Sequence, residues 1–339
     1  MRPSFRLVSN GVDITANVRD RLVSIRFHDE AETKSDRLTV TLDDRPERGA
    51  QVELPVIGTT LQLSLGYEET GVVYLGSFKV DEVSYNSPPA TLTVTAKSAD
   101  MTSPFRTPAD RSWHDTTLGE IVSTIAAEHG YAPAIDPALG AVKIAHEDQT
   151  AESPMAFATR MAERHDGVAK PINGTLVLAP KGQAKAASGK SLPTFRITPG
   201  GVSAWRFTRR ARTDAGTSDE GAGAVESETW DVDAAGAVVA SSGEGGPPQK
   251  QTYRLADLVA ARGSSASGAN NRKRAKATFE MTLQGTPALI AEQKLALEGF
   301  RGGVPAEWRL VTVEHRLTPS GYVCSCQAEL FNRTQESAT

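Results

Sequence analysis

The sequence predicts a mainly β fold with an α+β insert, in which two antiparallel β-barrel or sandwich domains flank a small helix-hairpin module. Three observations carry that expectation. Apolar and polar residues alternate along most of the first hundred positions, two capped helical segments and a hairpin signal occupy the middle, and the strand pattern of the first third returns in the last third.

The first domain, residues 1–104, is read from its period-two segments. Leu22, Ser24 and Arg26 interleave with Val23, Ile25 and Phe27, and Leu38, Val40 and Leu42 interleave with Thr39 and Thr41. The same pattern recurs at Leu61, Leu63, Leu65 and Tyr67, at Phe78 and Val80 with Val83 and Tyr85 beyond Asp81-Glu82, and at Leu92, Val94 and Ala96. Side chains two apart share a face, so each segment is a half-buried strand. Turn residues separate them at 43–46, 68–71 and 86–89, and with no helical period in between the pairing is expected to be antiparallel. Ser103-Pro104 ends the domain.

Residues 105–185 form the module. Thr117 and Glu120 make a capping box at the start of TLGEIVSTIAAEHG, whose stripe of Leu118, Ile121, Val122 and Ile125 runs to the stop at Gly130. Val142 to Ala145 reads as a short strand. Ser153 before Pro154 caps a second helix, with Met155, Ala158, Met161, Ala162 and His165 on one face and Gly167 as the left-handed residue that ends it. Segments 168–172 and 175–178 flank Asn173-Gly174, a dipeptide suited to a type I′ turn, which makes a hairpin. The stripe is read as core packing, since nothing polar converges on it.

The second β domain, 190–335, opens with strands at 194–197 and 204–208, then thins into a Gly-, Ala- and acid-rich stretch over 211–250. Residues 226–232 suggest a strand carrying Trp230, and 243–248 a loop with mobility on either side. A basic helix follows at 269–277, on which Arg272, Lys273 and Lys276 share a face, while Gly263, Gly268 and the serines between them obscure its start. Such a face is normally solvated; contact with DNA or an acidic partner is its functional alternative. Two stretches then repeat in order: 61–67, 78–83 and the strand around Leu92 against 294–300, 308–313 and the strand around Val323. Both first stretches end in Gly-aromatic. One duplicated β domain explains this.

The chain has 339 residues, 39% hydrophobic and 23% charged, enough to bury real cores and to exclude disorder throughout. A net charge of −4 offers no basic footprint for nucleic acid, and no run of eighteen apolar residues could cross a membrane. The start, MRPSFRLVSNGVDIT, lacks an apolar signal region, so folding in a reducing cytoplasm is expected. No catalytic, cofactor-binding or metal-binding residue is assigned. Cys324 and Cys326 share one face of one strand without a second pair, and the six histidines lack metal-ligand spacing. His315 alternates with Val313 and Leu317, which suits a hydrogen-bonded structural ring better than a base. In His114-Asp115 and His165-Asp166 adjacency prevents the orientation a triad needs. The sequons at Asn173 and Asn332 read as surface turns.

Several stretches carry a resemblance to a known family. Gln149, Glu152, Ser153, Phe157, Met161, Ala162, Glu163, Gly167, Asn173 and Gly174 in the middle resemble the late control protein D family of tailed phages. So do Asp13 to Thr15, Arg21-Leu22, Asp29-Glu30, Ser35-Asp36 and Leu42 to Asp44 near the start. Gly285, Pro287, Gly299, Phe300, Trp308, Val313, His315, Gly321, Tyr322 and Glu329 extend the likeness to the end, and 211–250 departs from it. These are baseplate hubs of contractile tails, related to proteins of R-type bacteriocins and to the hub part of type VI secretion spikes. The resemblance implies tail-tube-like β domains and a non-enzymatic homotrimer that adapts the sixfold tail tube to a threefold central spike protein. It also implies baseplate wedge and tape-measure proteins as partners, a place in the tail baseplate of a virion or bacteriocin particle, and assembly in the bacterial host cytoplasm. No sequence-specific nucleic acid or membrane insertion is expected. A ring of three chains with two similar β domains each would have six outer units, and strand edges would pair around it. Its channel would be polar or acidic. The module is similar in size and order to the wall-binding LysM fold, so the alternatives are a peptidoglycan-binding or -degrading tail protein and the hub half of a type VI spike.

Overall fold

The computed structural model describes residues 1–31, 35–49, 51–98, 104–172, 174–184, 191–209, 224–231, 236–243, 249–255 and 257–331. The first third contributes β1 (Pro3–Ser9), β2 (Val12–Asp13), α1 (Thr15–Arg19), β3 (Leu22–Glu30), β4 (Arg37–Asp43), β5 (Thr60–Tyr67), β6 (Gly71–Asn86) and β7 (Thr91–Lys97). The middle contributes β8 (Ala109–Thr117), α2 (Leu118–Glu128), β9 (Ala132–Ile135), α3 (Pro137–Gly140), β10 (Lys143–Glu152), α4 (Pro154–Arg164), β11 (Gly167–Ile172) and β12 (Thr175–Pro180). The last third contributes β13 (Phe195–Ile197), β14 (Ala204–Arg209), β15 (Val225–Asp231), β16 (Gly236–Ser242), β17 (Gln249–Leu255), α5 (Leu258–Arg274), β18 (Ala277–Gln284), β19 (Lys294–Leu297), β20 (Glu307–Thr318) and β21 (Gly321–Leu330).

The fold is mainly β. Among the described residues, thirteen strands from the first and last thirds form one sheet, joined where β20 pairs with β3. Its side chains make one apolar core that contains Leu38, Leu63, Phe279 and Trp308 together. Burying each such side chain contributes about 1.5–3 kcal/mol. Within the sheet two sets of six strands have the same neighbours and the same chain order: β3-β4-β7-β6-β5-β1 and β14-β18-β21-β20-β19-β13. The correspondence reaches single residues. β6 bulges between Val80 and Glu82, β20 between Leu310 and Thr312, and Val80 and Leu310 both lie opposite an alanine, Ala96 or Ala328. The Gly58 N–H donates to the Val80 carbonyl at 2.8 Å, and the Glu292 N–H to the Leu310 carbonyl at 2.9 Å. One pairing differs, since β1 runs antiparallel to β5 but β13 runs parallel to β19.

Two sequence expectations about these strands need correction. Leu61 faces Phe78 as Leu295 faces Trp308, so Leu61 corresponds to Leu295, and the similar Gly66-Tyr67 and Gly299-Phe300 endings are displaced by one residue. In β3 the alternation breaks at a bulge near Val23, which puts Leu22 on the core face with Ile25 and Phe27 and leaves Val23 exposed.

The module has its own core, in which Leu118, Ile121, Phe157 and Met161 pack with Leu176 and Leu178. Both caps are present: Thr117 and Glu120 bond reciprocally, and the Ser153 hydroxyl accepts the Ala156 N–H at 3.2 Å. The strand expected at 142–145 extends to Glu152 and pairs with β8, which lacked an alternating apolar pattern. The positive φ after α4 belongs to Asp166 (54°), not to Gly167. Gly167 instead starts β11, where a Cβ would meet Leu139 Cδ1 at 3.0 Å. Gly174 has φ 76°; Asn173 lies outside the described residues, as do the module boundary at 185, the Gly-rich 210–223, residues 244–248 and the Asn332 sequon.

The largest departure is α5. It starts at Leu258, capped by the Asp257 carboxylate, and ends at Arg274, so Gly263, Gly268 and the serines lie inside it. Close packing explains their presence despite poor helix propensity. A Cβ on Gly263 would come within 2.8 Å of His165 Nδ1, and one on Gly268 within 3.0 Å of Val225 Cγ1. The helix lies on β15 and β16, which with β17 form a small separate sheet. The helix ends at Arg274, so of the expected basic face only Arg272 and Lys273 lie on it and Lys276 is beyond it, while Arg274 is buried.

Candidate functional site

The seam between β20 and β3 is where the chain joins its two similar strand sets. Glu314, His315 and Arg316 lie opposite His28, Phe27 and Arg26. His315 is fully buried; its Nε2–H donates to the Leu289 carbonyl at 3.0 Å and its Nδ1 accepts from the Tyr322 hydroxyl at 2.7 Å. Burial holds its pKa down to about 4, so the ring is neutral. Cys324 Sγ lies 3.3 Å from the same Nδ1, a thiol–imidazole pair in outline. The pair is inert, because burial pushes the Cys324 thiol up to about 11 and neither group reaches solvent. Burial raises Cys326 as well. Gly285 completes the packing: a Cβ there would sit 2.2 Å from the Tyr322 ring, and its carbonyl accepts from the Tyr67 hydroxyl at 2.8 Å.

Two buried ionic joints fix the module against the sheet. On β11, Lys170 bonds the Glu30 carbonyl and lies 2.5 Å from Asp36 Oδ1 and 3.9 Å from Asp29 Oδ1. Burial, reinforced by Asp29, pushes Asp36 up to about 7. At the other joint Arg274 of α5, 1% exposed, reaches Asp166 Oδ1 at 2.6 Å and Glu329 Oε1 at 3.3 Å. Arg309 of β20 approaches the same Glu329 oxygen at 3.4 Å and Glu292 at 3.7 Å, while burial raises the Glu292 carboxyl. Asn270 donates to Asp166 at 2.8 Å and Ser267 to the Glu163 carbonyl at 2.6 Å, so α5 ties α4 to the sheet. Long-range side-chain pairs such as these left no signal in sequence spacing.

The remaining flagged residues lie apart. His114 and His146 are cross-strand neighbours with Nδ1 atoms 3.0 Å apart, and His146 also contacts Asp148 at 3.2 Å; period and spacing within one segment could not show this pair. His165 caps α4, lowered by burial, and its neighbour Asp166 points to Arg274. No group of three potential metal ligands occurs among the described residues. A groove of about 520 Å³ runs between α1, β4, β7 and the segment around Val52, with a mainly apolar lining. The exposed large apolar side chains include Val73, Tyr74, Tyr85 and Trp205 on β6 and β14. What stands out is a buried seam, two ionic joints and exposed apolar side chains on β6 and β14.

Comparison with known proteins agrees with that character. Residues 32–321 match the family described as "Phage tail baseplate hub (GPD)". The "Probable baseplate hub protein" of Escherichia phage 186 is 37% identical over 198 residues, which are 58% of this chain and 50% of that protein. The chain thus spans about half the length of the curated relatives it matches. Among solved structures, the 43 kDa tail protein of prophage MuSo2 from Shewanella oneidensis is similar in fold, with TM-score 0.69 and 13% identity over 96% of this chain and 98% of that one. The E. coli c3393 protein, a component of the type VI secretion system, is similar at TM-score 0.55 and 10% identity over 92% of this chain and 74% of that one. With the family match running through both strand sets and the module between them, this chain belongs to the phage tail baseplate hub family.

Proposed function

We propose that the chain is a structural hub that forms a homotrimeric ring and adapts a sixfold tail tube to a threefold central spike, without enzymatic activity. The observation that carries this is the equivalence of the two six-strand sets down to their bulges, because three chains then supply six similar units around one axis. In this reading the duplicated units are residues 1–104 and 190–335, with 105–185 as a module held on their outside by the Lys170 and Arg274 joints. The spike and tail tube proteins are the direct partners, baseplate wedge and tape-measure proteins the further ones. The setting is the tail baseplate of a virion or bacteriocin particle, assembled in the host cytoplasm. The likeness to the c3393 protein supports one second reading, the hub part of a type VI spike, which uses the same ring.

Electron-microscopy class averages of the purified chain test the ring directly. Six β units around a threefold axis are expected; a ring of different order would count against the proposal. Incubation with peptidoglycan should release no soluble fragments. Release that disappears on replacing one of the chain's own carboxylates would overturn the non-enzymatic part.

A further inference from the structure

The internal seam supplies a template for the contact between copies. Pairings translate one strand set into the other. His315 lies opposite Cys324 and Tyr85 opposite Leu92, at the same distance past the bulge, so Tyr85 is the counterpart of His315. Phe27 lies opposite Leu38 and Phe207 opposite Phe279, each facing an alanine on the next strand, so Phe207 is the counterpart of Phe27. By the same steps Trp205 is the counterpart of Ile25.

Inside the chain these positions are covered, His315 and Ile25 both being 0% exposed. Their counterparts are bare: Tyr85 is 50% and Trp205 39% exposed. The edges are bare as well. Among the described residues, β5 pairs with β6 no further along than Lys79, so no strand lies along that side of residues 82–86, and residues 204–208 of β14 pair with β18 alone. An open sheet edge with aromatic side chains is a ready site for another strand.

Resting on the ring reading, we infer that residues 84–86 of one copy pair antiparallel with residues 206–208 of the next, with Ser84 opposite Thr208, Tyr85 opposite Phe207 and Asn86 opposite Arg206. The occupant is a second copy of this chain because it carries the matching edge, in the register already used between β20 and β3. Tyr85 stacks on Phe207 as His315 stacks on Phe27, where the ring centroids are 5.6 Å apart. The internal and external joints then alternate, every step around the ring is alike, and three copies close it.

A paired-cysteine experiment on the full chain reads the register. Hydrogen-bonded and non-hydrogen-bonded pairs alternate in an antiparallel ladder, and Ala31 N–H donates to the Val311 carbonyl at 2.8 Å. Counting from there, Glu314 and His28 form a non-hydrogen-bonded pair, and so do their counterparts Ser84 and Thr208. Cα atoms at such a pair are about 4.5 Å apart, within disulfide reach. The native Cys324 and Cys326 are buried and do not compete. After mild oxidation, the Ser84→Cys/Thr208→Cys variant should run as covalent dimer and trimer that reductant returns to monomer. Each single variant should give none, and Ser84→Cys/Arg206→Cys at least tenfold less. Tyr85→Glu should lose the trimer with an unchanged circular dichroism spectrum. A wild-type trimer by light scattering with no 84/208 product would overturn this register and leave the ring standing. A wild-type monomer would overturn both.

Discussion

His315 of β20 stacks on Phe27 of β3 with ring centroids 5.6 Å apart and planes 24° from parallel, and this contact closes the seam between the last and first thirds of the chain. The ring is a neutral, doubly hydrogen-bonded wedge, not a base. A depressed histidine pKa contributes stability that is present above the ordinary value and lost as pH falls through the folded one. Here the window runs from 6.5 down to about 4, and full protonation would cost about 3 kcal/mol. The His315→Gln variant should lose less stability than wild type between pH 7 and pH 4, measured by urea denaturation. Parallel pH profiles would show that the histidine is not held neutral.

Asp36 acts with the opposite sign. Its carboxyl is raised to about 7, so the stability it contributes is full below the ordinary 3.8 and is lost as pH rises through 7. Asp36→Asn should therefore gain on wild type as pH goes from 5 to 8, by the same denaturation assay. Lys170→Met should cost about 3–5 kcal/mol, because it leaves the buried Asp36 and the part-buried Asp29 without their cation. That cost should be larger at pH 8 than at pH 5; a pH-independent cost would refute the assignment of charge at this joint.

The α5 joint has a similar sensitivity. Arg274→Met leaves Asp166 without its guanidinium and Glu329 with Arg309 alone, at a cost of about 3–5 kcal/mol. Amide exchange should rise in α4 and α5 before it rises in β20 and β21. Uniform acceleration across all four would mean that α5 does not act as a separate tie.

Much of the fold was legible because its causes are local. The Leu38, Val40 and Leu42 alternation marks β4, and the Thr117–Glu120 and Ser153–Pro154 caps start their helices where the hydrogen bonds are found. What escaped depends on partners distant in the chain. Gly263 and Gly268 look like helix breakers until His165 and Val225 are seen against them, and Lys170 meets Asp36 across 134 positions. The repeat was visible, but the Gly-aromatic endings suggested a match one residue out of step with Leu61 and Leu295, which only strand pairing reveals. The seam was likewise hidden, since nothing in β20 or β3 alone names the other as its neighbour.

Native mass spectrometry of the purified 339-residue chain at about 10 μM tests the hub reading most directly. Each chain has a mass of 36.1 kDa, so a closed ring is expected near 108 kDa as the dominant species, at a concentration where large obligate interfaces of about 2,000 Å² or more stay formed. A dominant species at the mass of one chain, unchanged by raising the concentration tenfold, would contradict it.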